Sequence, residues 1–158
     1  MTDEIKSISV KRIVIVSEDV CPYTERIYCP EKVYECCNDI LKIRTYSVET
    51  FLVFSVDTKK RITGISTITQ GTLNASLVHP REVFQAALLH NAASIILVHN
   101  HPSGDPAPSP EDIAVTRKLI EAGRIMGIPV SDHIIIGDDR LFPPGFHSIR
   151  RSGCVEFE

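Results

Sequence analysis

Apolar residues fall along this chain in patterns that each predict an element. Residues 8–16 alternate and then run apolar through Ile13, Val14, Ile15 and Val16, as a strand does. Ser17 to Tyr28 shows no period and is expected to be loop. From Pro30 the apolar positions switch to helical spacing, with Val33, Tyr34, Cys37, Ile40 and Leu41 behind a first-turn proline and glutamate. That spacing predicts a helix from Pro30 to about Ile43. Phe51–Val56 and Ile62–Ile68 are β-rich runs joined by Asp57-Thr58-Lys59-Lys60-Arg61, a polar connection of hairpin length.

The second half alternates more regularly. His79-Pro80-Arg81-Glu82 opens a helix with Val83, Phe84, Ala87 and Leu88 on its apolar side, and Ser94–Val98 is the strand after it. Pro102 to Pro108 holds three prolines, a glycine and an aspartate, which restricts φ and removes backbone donors, so a stiff irregular loop is expected. Ser109-Pro110-Glu111-Asp112 has the form of a helix start, with serine as N-cap and proline at the first helical position. That helix should run to about Gly127, and Ile128–Ile136 reads as another strand closed by Gly137-Asp138-Asp139. Helices alternating with strands, plus one early hairpin, predict an α/β fold: a single-domain mixed sheet flanked by helices, with residues 1–29 as an N-terminal strand and loop of the same domain and 30–158 as its body. The pattern leaves the strand order open, and Pro143-Pro144-Gly145 leaves open the course of the chain after Gly137.

Composition narrows the class. At 158 residues the chain fits one domain, and 43% hydrophobic with 23% charged residues matches a globular protein. The net charge of -3 supplies no field to hold a polyanion, so nucleic acid is a possible partner that charge does not support. Lys59-Lys60-Arg61 and Arg150-Arg151 are read as solvated turns. Ala92–Val98 falls far short of the roughly 20 apolar residues a membrane helix needs, and no secretion signal is visible, so a cytoplasmic protein without membrane contact is expected. Five cysteines, none in a C-x-x-C pair, are expected to be reduced thiols.

Residues two apart on a strand point to one face, so His99 and His101 can present both imidazoles to one point while Asn100 faces away. Asp112, in the first turn of the following helix, can bring a carboxylate across the proline loop to the same point. Two histidines and a carboxylate leave a tetrahedral Zn2+ with one open position, the pattern of catalytic sites. Taken singly, the histidines could simply end a strand and Asp112 could serve the helix dipole. Their combination with the proline loop and the S-x-x-D helix start favours one zinc per chain. The H-x-E and P-C-x-x-C pair of zinc deaminases is absent, and the contiguous His99-Asn100-His101 only coincides with the name of a nuclease motif whose residues lie on separate elements.

The stretch H-N-H-P-S-G-D-P-x-P-S-x-E-D, His99 to Asp112, resembles the RadC family of JAB1/MPN/JAMM-type proteins, whose pattern is H-x-H-P followed by S-x-x-D. The resemblance runs from about Pro30 through Gly137 and includes Gly71-Thr72-Leu73-Asn74-Ala75-Ser76, His79-Pro80-Arg81-Glu82 and Asp132-His133-Ile134-Ile135-Ile136-Gly137. It implies a JAB1/MPN architecture similar to cytidine deaminases, and a zinc metallopeptidase or isopeptidase with His99, His101 and Asp112 as ligands. It implies Glu49, just before Thr50-Phe51-Leu52-Val53-Phe54, as general base toward a zinc-activated water, ahead of the rivals Glu25, Glu31 and Glu35. It implies Ser109 as hydrogen-bond donor to a developing oxyanion. His133 is expected to pack or hydrogen-bond near the site rather than bind metal. The chain is similar to short RadC-like forms without the N-terminal helix-hairpin-helix region, and the family's DNA-repair label implies a rival role: a repair or mobile-element accessory protein that keeps the metal site without hydrolysis. The substrate is not legible.

Overall fold

A computed structural model describes residues 25–71 and 78–157. The strand expected over residues 8–16 and the stretch Thr72 to Ser76 therefore lie outside the described residues. Within them the order is α1 (Pro30–Asp39), β1 (Thr50–Val56), β2 (Ile62–Gln70), α2 (Pro80–Leu89), β3 (Ser94–Asn100), α3 (Pro110–Met126), β4 (Val130–Ile136), β5 (Phe146–Ser148) and α4 (Ile149–Ser152). The five strands form one sheet in the order β2-β1-β3-β4-β5. Only β3 and β4 run parallel, joined by α3, while β1–β2, β1–β3 and β4–β5 are antiparallel. The expected mixed sheet flanked by helices is what forms. No helix among the described residues is long and apolar enough to cross a membrane.

β1 and β3 are buried along their whole length, so their two faces feed two cores. Phe51, Val53, Ile95, Leu97 and Ile135 pack with Val83, Phe84 and Ala87 of α2 and Val115, Leu119 and Ile120 of α3. Leu52, Phe54, Val56, Ile96, Val98, Ile134 and Ile136 pack on the other side with Val33, Cys36 and Cys37 of α1. A period of two in strands sandwiched between helices explains why the sequence showed continuous apolar runs rather than alternation. Cys29, Cys37 and Cys154 are free thiols, and burial pushes the Cys37 thiol well above its usual range.

The structure departs from the sequence pattern at a few ends. Helix α1 stops at Asp39 rather than near Ile43, because Lys42 takes a left-handed backbone and Ile43–Thr45 form a separate 3-10 turn. That reversal drops Ile43 into the core on the α1 side. Ile27, expected in loop, is buried there too and donates to the Lys60 carbonyl, so the segment before α1 caps the hairpin turn. β4 begins at Val130, since Gly127 and Ile128 are used in closing α3. The open segment after Gly137 resolves into β5, which pairs with Ile134–Ile136, and α4.

Gly137 reads in the sequence as turn punctuation, but its role is close approach. A Cβ there would sit 2.2 Å from the Gly104 carbonyl oxygen and 2.9 Å from Pro106 Cδ. The proline loop thus rests directly on the end of β4, with Asp138 N donating to Gly104 O at 2.8 Å. Gly137→Ala must push that loop away and is expected to cost about 1–3 kcal/mol by overpacking. Urea unfolding should show a lower midpoint at constant slope, and an unchanged midpoint would refute the close contact.

Candidate metal centre

Three elements deliver four side chains to one place. His99 sits at the buried end of β3 and His101 follows it, its backbone N–H donating to Ile136 O at 2.9 Å and so keeping the strand's alternation one step beyond the ladder's edge. Asp112 is the third residue of α3, in a reciprocal capping box: Ser109 Oγ accepts from Asp112 N, and Asp112 Oδ2 accepts from Ser109 N at 2.8 Å. Glu49 immediately precedes β1, the neighbour of β3. One ligand atom from each of Glu49, His99, His101 and Asp112 lies within 4.8 Å of all the others.

The geometry separates the roles. Asp112 Oδ2 takes both capping bonds, from Ser109 N and from Ser109 Oγ at 2.7 Å, whereas Oδ1 turns to His99 Nε2 at 3.1 Å. His101 Nδ1 lies 2.7 Å from the Asp105 carbonyl oxygen, which can only accept, so the ring proton sits on Nδ1 and the lone pair of Nε2 faces the cluster. His99 Nε2 and His101 Nε2 are 3.0 Å apart. Glu49 Oε1 stands farther off, 3.9 Å from His99 Nε2 and 3.8 Å from His101 Nε2. Electron-rich nitrogens and carboxylate oxygens packed this closely repel one another unless a cation lies among them, and the residues present therefore fit a bound metal ion. Burial would raise the Asp112 carboxyl, but the nearness of the His101 and His99 rings, whose charged forms attract it, and the Ser109 amide hold it well below the usual carboxylate range. At His101 burial lowers the ring, and the Asp112 carboxylate and the Asp105 carbonyl, which favour its charged form, outweigh it, leaving a net upward shift.

His99 is fully buried with Phe51 stacked on its ring at 5.9 Å, while Glu49 and His101 reach a groove of about 330 Å³ shared with Ser103, Ser109, Glu111 and Asp112. A larger groove of about 860 Å³, between α2 and α3, contains none of the four clustered residues. Chemistry locates the site in the smaller one.

All the sequence-derived site residues converge here, with two refinements. The single hydroxyl proton of Ser109 is spent on Asp112 Oδ2. Glu25, Glu31 and Glu35 point elsewhere: Glu25 and Glu35 bind Lys32, and Glu31 pairs with Arg151, which brings its carboxyl down to about 2. His133 lies behind His99, with Nε2 2.8 Å from His99 Nδ1, and burial holds its ring well below the usual histidine range.

Two residues went unnoticed in the sequence. Asn100 does face away, as alternation requires, yet its side chain accepts from Thr50 N at 2.9 Å and donates to Val48 O at 3.1 Å. It clamps the backbone on both sides of Glu49. Thr116, one helical turn after Asp112, places its hydroxyl 2.6 Å from His133 Nδ1. An asparagine between the two clustered histidines and a threonine four residues beyond Asp112 were the available signals.

Comparison with known proteins follows the same outline. A family model described as RadC-like JAB domain matches residues 27–152. A UPF0758 protein of Caldanaerobacter subterraneus subsp. tengcongensis is 53% identical over 117 residues, covering 74% of this chain and 48% of that protein. UPF0758 proteins of Desulforamulus reducens and Methanosarcina mazei are 50% and 51% identical, covering 82% and 83% of this chain and 54% of each relative. The chain thus spans about half the length of the curated relatives it matches.

Metal analysis of the purified chain should find about one divalent ion per molecule, and His101→Ala should lose most of it, because that variant removes a donor while leaving the buried His99 in place. Metal-free unsubstituted protein that stays empty after incubation with zinc would overturn the site.

Proposed function

The chain belongs to the RadC-like JAB domain family, and from that membership and the geometry of the cluster we propose that it is a zinc-dependent hydrolase of JAMM type, a metallopeptidase or isopeptidase acting on a protein or peptide. His99, His101 and Asp112 would hold the zinc: two neutral imidazole nitrogens and one carboxylate oxygen are the donors that borderline zinc takes when a fourth position stays open. Bound zinc supplies Lewis acidity, acidifying water and polarising a carbonyl.

The observation that carries the reading is the position of Glu49. Its Oε1 is nearly equidistant from both inner imidazole nitrogens, at 3.9 and 3.8 Å, beyond direct hydrogen bonding to either. A carboxylate set back by that amount, on the open side of the cluster and clamped through its backbone by Asn100, would take a proton from a water in the groove and pass it to the leaving amine, and that set-back position supports the reading. Ser109 serves Asp112 first. To donate to a developing oxyanion, as the family pattern implies, its hydroxyl must turn from Oδ2 toward the groove it lines.

A nucleic-acid role draws less support. In the two short basic clusters Arg61 is paired with Asp57 and Arg151 with Glu31, so part of their charge is already neutralised.

Glu49→Gln is expected to retain zinc and lose hydrolysis by about 10²-fold or more, since the residue acts on water rather than holding the ion. Proteins retained from a cell extract on the E49Q chain, then incubated with zinc-loaded unsubstituted chain, should yield new peptide termini by mass spectrometry. Cleavage at equal rates by both chains would remove Glu49 from the mechanism. No cleavage by either, with zinc bound, would leave the accessory role as the better reading.

A further inference from the structure

Behind the cluster runs a buried chain of hydrogen bonds whose direction can be deduced. Thr116 Oγ1 lies 2.6 Å from the main-chain oxygen of Asp112 and 2.6 Å from His133 Nδ1, and His133 Nε2 lies 2.8 Å from His99 Nδ1. A carbonyl oxygen only accepts, and a hydroxyl has one proton. Two oxygens 2.6 Å apart need that proton between them, so Thr116 donates to Asp112 O, the ordinary back-bond of a helical threonine. Thr116 Oγ1 must then accept from His133 Nδ1–H. Total burial keeps the His133 ring neutral with a single ring proton, which leaves Nε2 as an acceptor for His99 Nδ1–H. His99 Nε2 is thereby bare, and it is this atom that faces Asp112 Oδ1. The opposite order would place a proton on His99 Nε2 and remove a donor from the cluster.

We propose that Thr116 and His133 are positioning residues that order the protons of the two histidines, holding His99 in its Nδ1–H tautomer so that its Nε2 is ready for a metal ion. The proposal deepens the metal-site reading and rests on it for its consequence, though not for the proton order itself. His101 achieves the same end with a loop carbonyl, that of Asp105. His99 lies inside the sheet, where strand carbonyls are committed to the β1–β3 and β3–β4 ladders, so a side chain must accept instead. Since Asp112 and Thr116 sit on successive turns of α3, the same helix that brings the carboxylate also anchors the relay.

The test uses the full chain and two readouts. Imidazole ¹⁵N spectra of the metal-free protein should show His99 and His133 both protonated at Nδ1 and bare at Nε2. Thr116→Val, which keeps shape and helix, should turn both rings into tautomer mixtures. Zinc affinity, read by chelator competition, should fall about 10- to 100-fold in His133→Leu. His133→Gln restores an acceptor near the position of Nε2 and should recover most of that loss. A proton on His99 Nε2 in the unsubstituted protein, unchanged spectra in T116V, or equal zinc affinity in H133L and the parent would each overturn the relay. Should H133L fail to fold, the T116V spectra decide alone. If the parent binds no zinc while its spectra show the proposed order, the metal reading fails and the relay stands.

Discussion

Everything at this site depends on lone pairs being forced together. Two imidazole nitrogens 3.0 Å apart, a carboxylate oxygen 3.1 Å from one of them and a second carboxylate just beyond form an arrangement that the fold holds against mutual repulsion. The stabilisation comes from outside the cluster. Asp105 O and Asp112's own capping box take up the outward-facing hydrogen-bonding capacity of His101 and Asp112, leaving the inward-facing atoms as donors to a cation.

The sheet sets the distances. β3 lies between β1 and β4, so Glu49 just before β1 and His99 near the end of β3 come to one end of the sheet through ladder register, with His133 of β4 one step further in, opposite Leu97. Odd-numbered positions of β3, and of β4 from His133 onward, face α2 and α3, so His99 and His133 continue the row made by Ile95, Leu97 and Ile135. Phe51, paired across the sheet with His99, gives both rings an apolar floor at 5.9 and 5.5 Å. The polar cluster is therefore the end of a hydrophobic layer, which excludes water from its rear while its front opens on the groove.

Rigidity of the proline loop links the two halves. The loop is tied at Gly104 O to Asp138 N, rests on the Cβ-free Gly137, and presents Asp105 O to His101 before delivering Ser109 as the cap of α3. Its conformation thus orients His101 through a carbonyl and Asp112 through the helix start. Asn100 performs the matching task on the opposite face of β3, joining the backbone around Glu49 to the strand that carries the histidines.

Local pattern determined a good deal by itself. Helices behind Pro30, Pro80 and Pro110, the 57–61 hairpin, the strands after them and the candidate cluster residues His99, His101 and Asp112 all follow from short-range signals, because side-chain period, capping and turn chemistry act within a few residues. Strand order, the early end of α1, the course after Gly137 and the contact beneath Gly137 were decided only by tertiary structure. So were the roles of Asn100 and Thr116 and the commitment of the Ser109 proton to Asp112. The physical reason is that each depends on a partner far along the chain or on the direction of a hydrogen bond, and neither leaves a mark in the spacing of residues: Asn100 meets Val48 and Thr50, and Thr116 meets His133, only once β1, β3, β4 and α3 have packed.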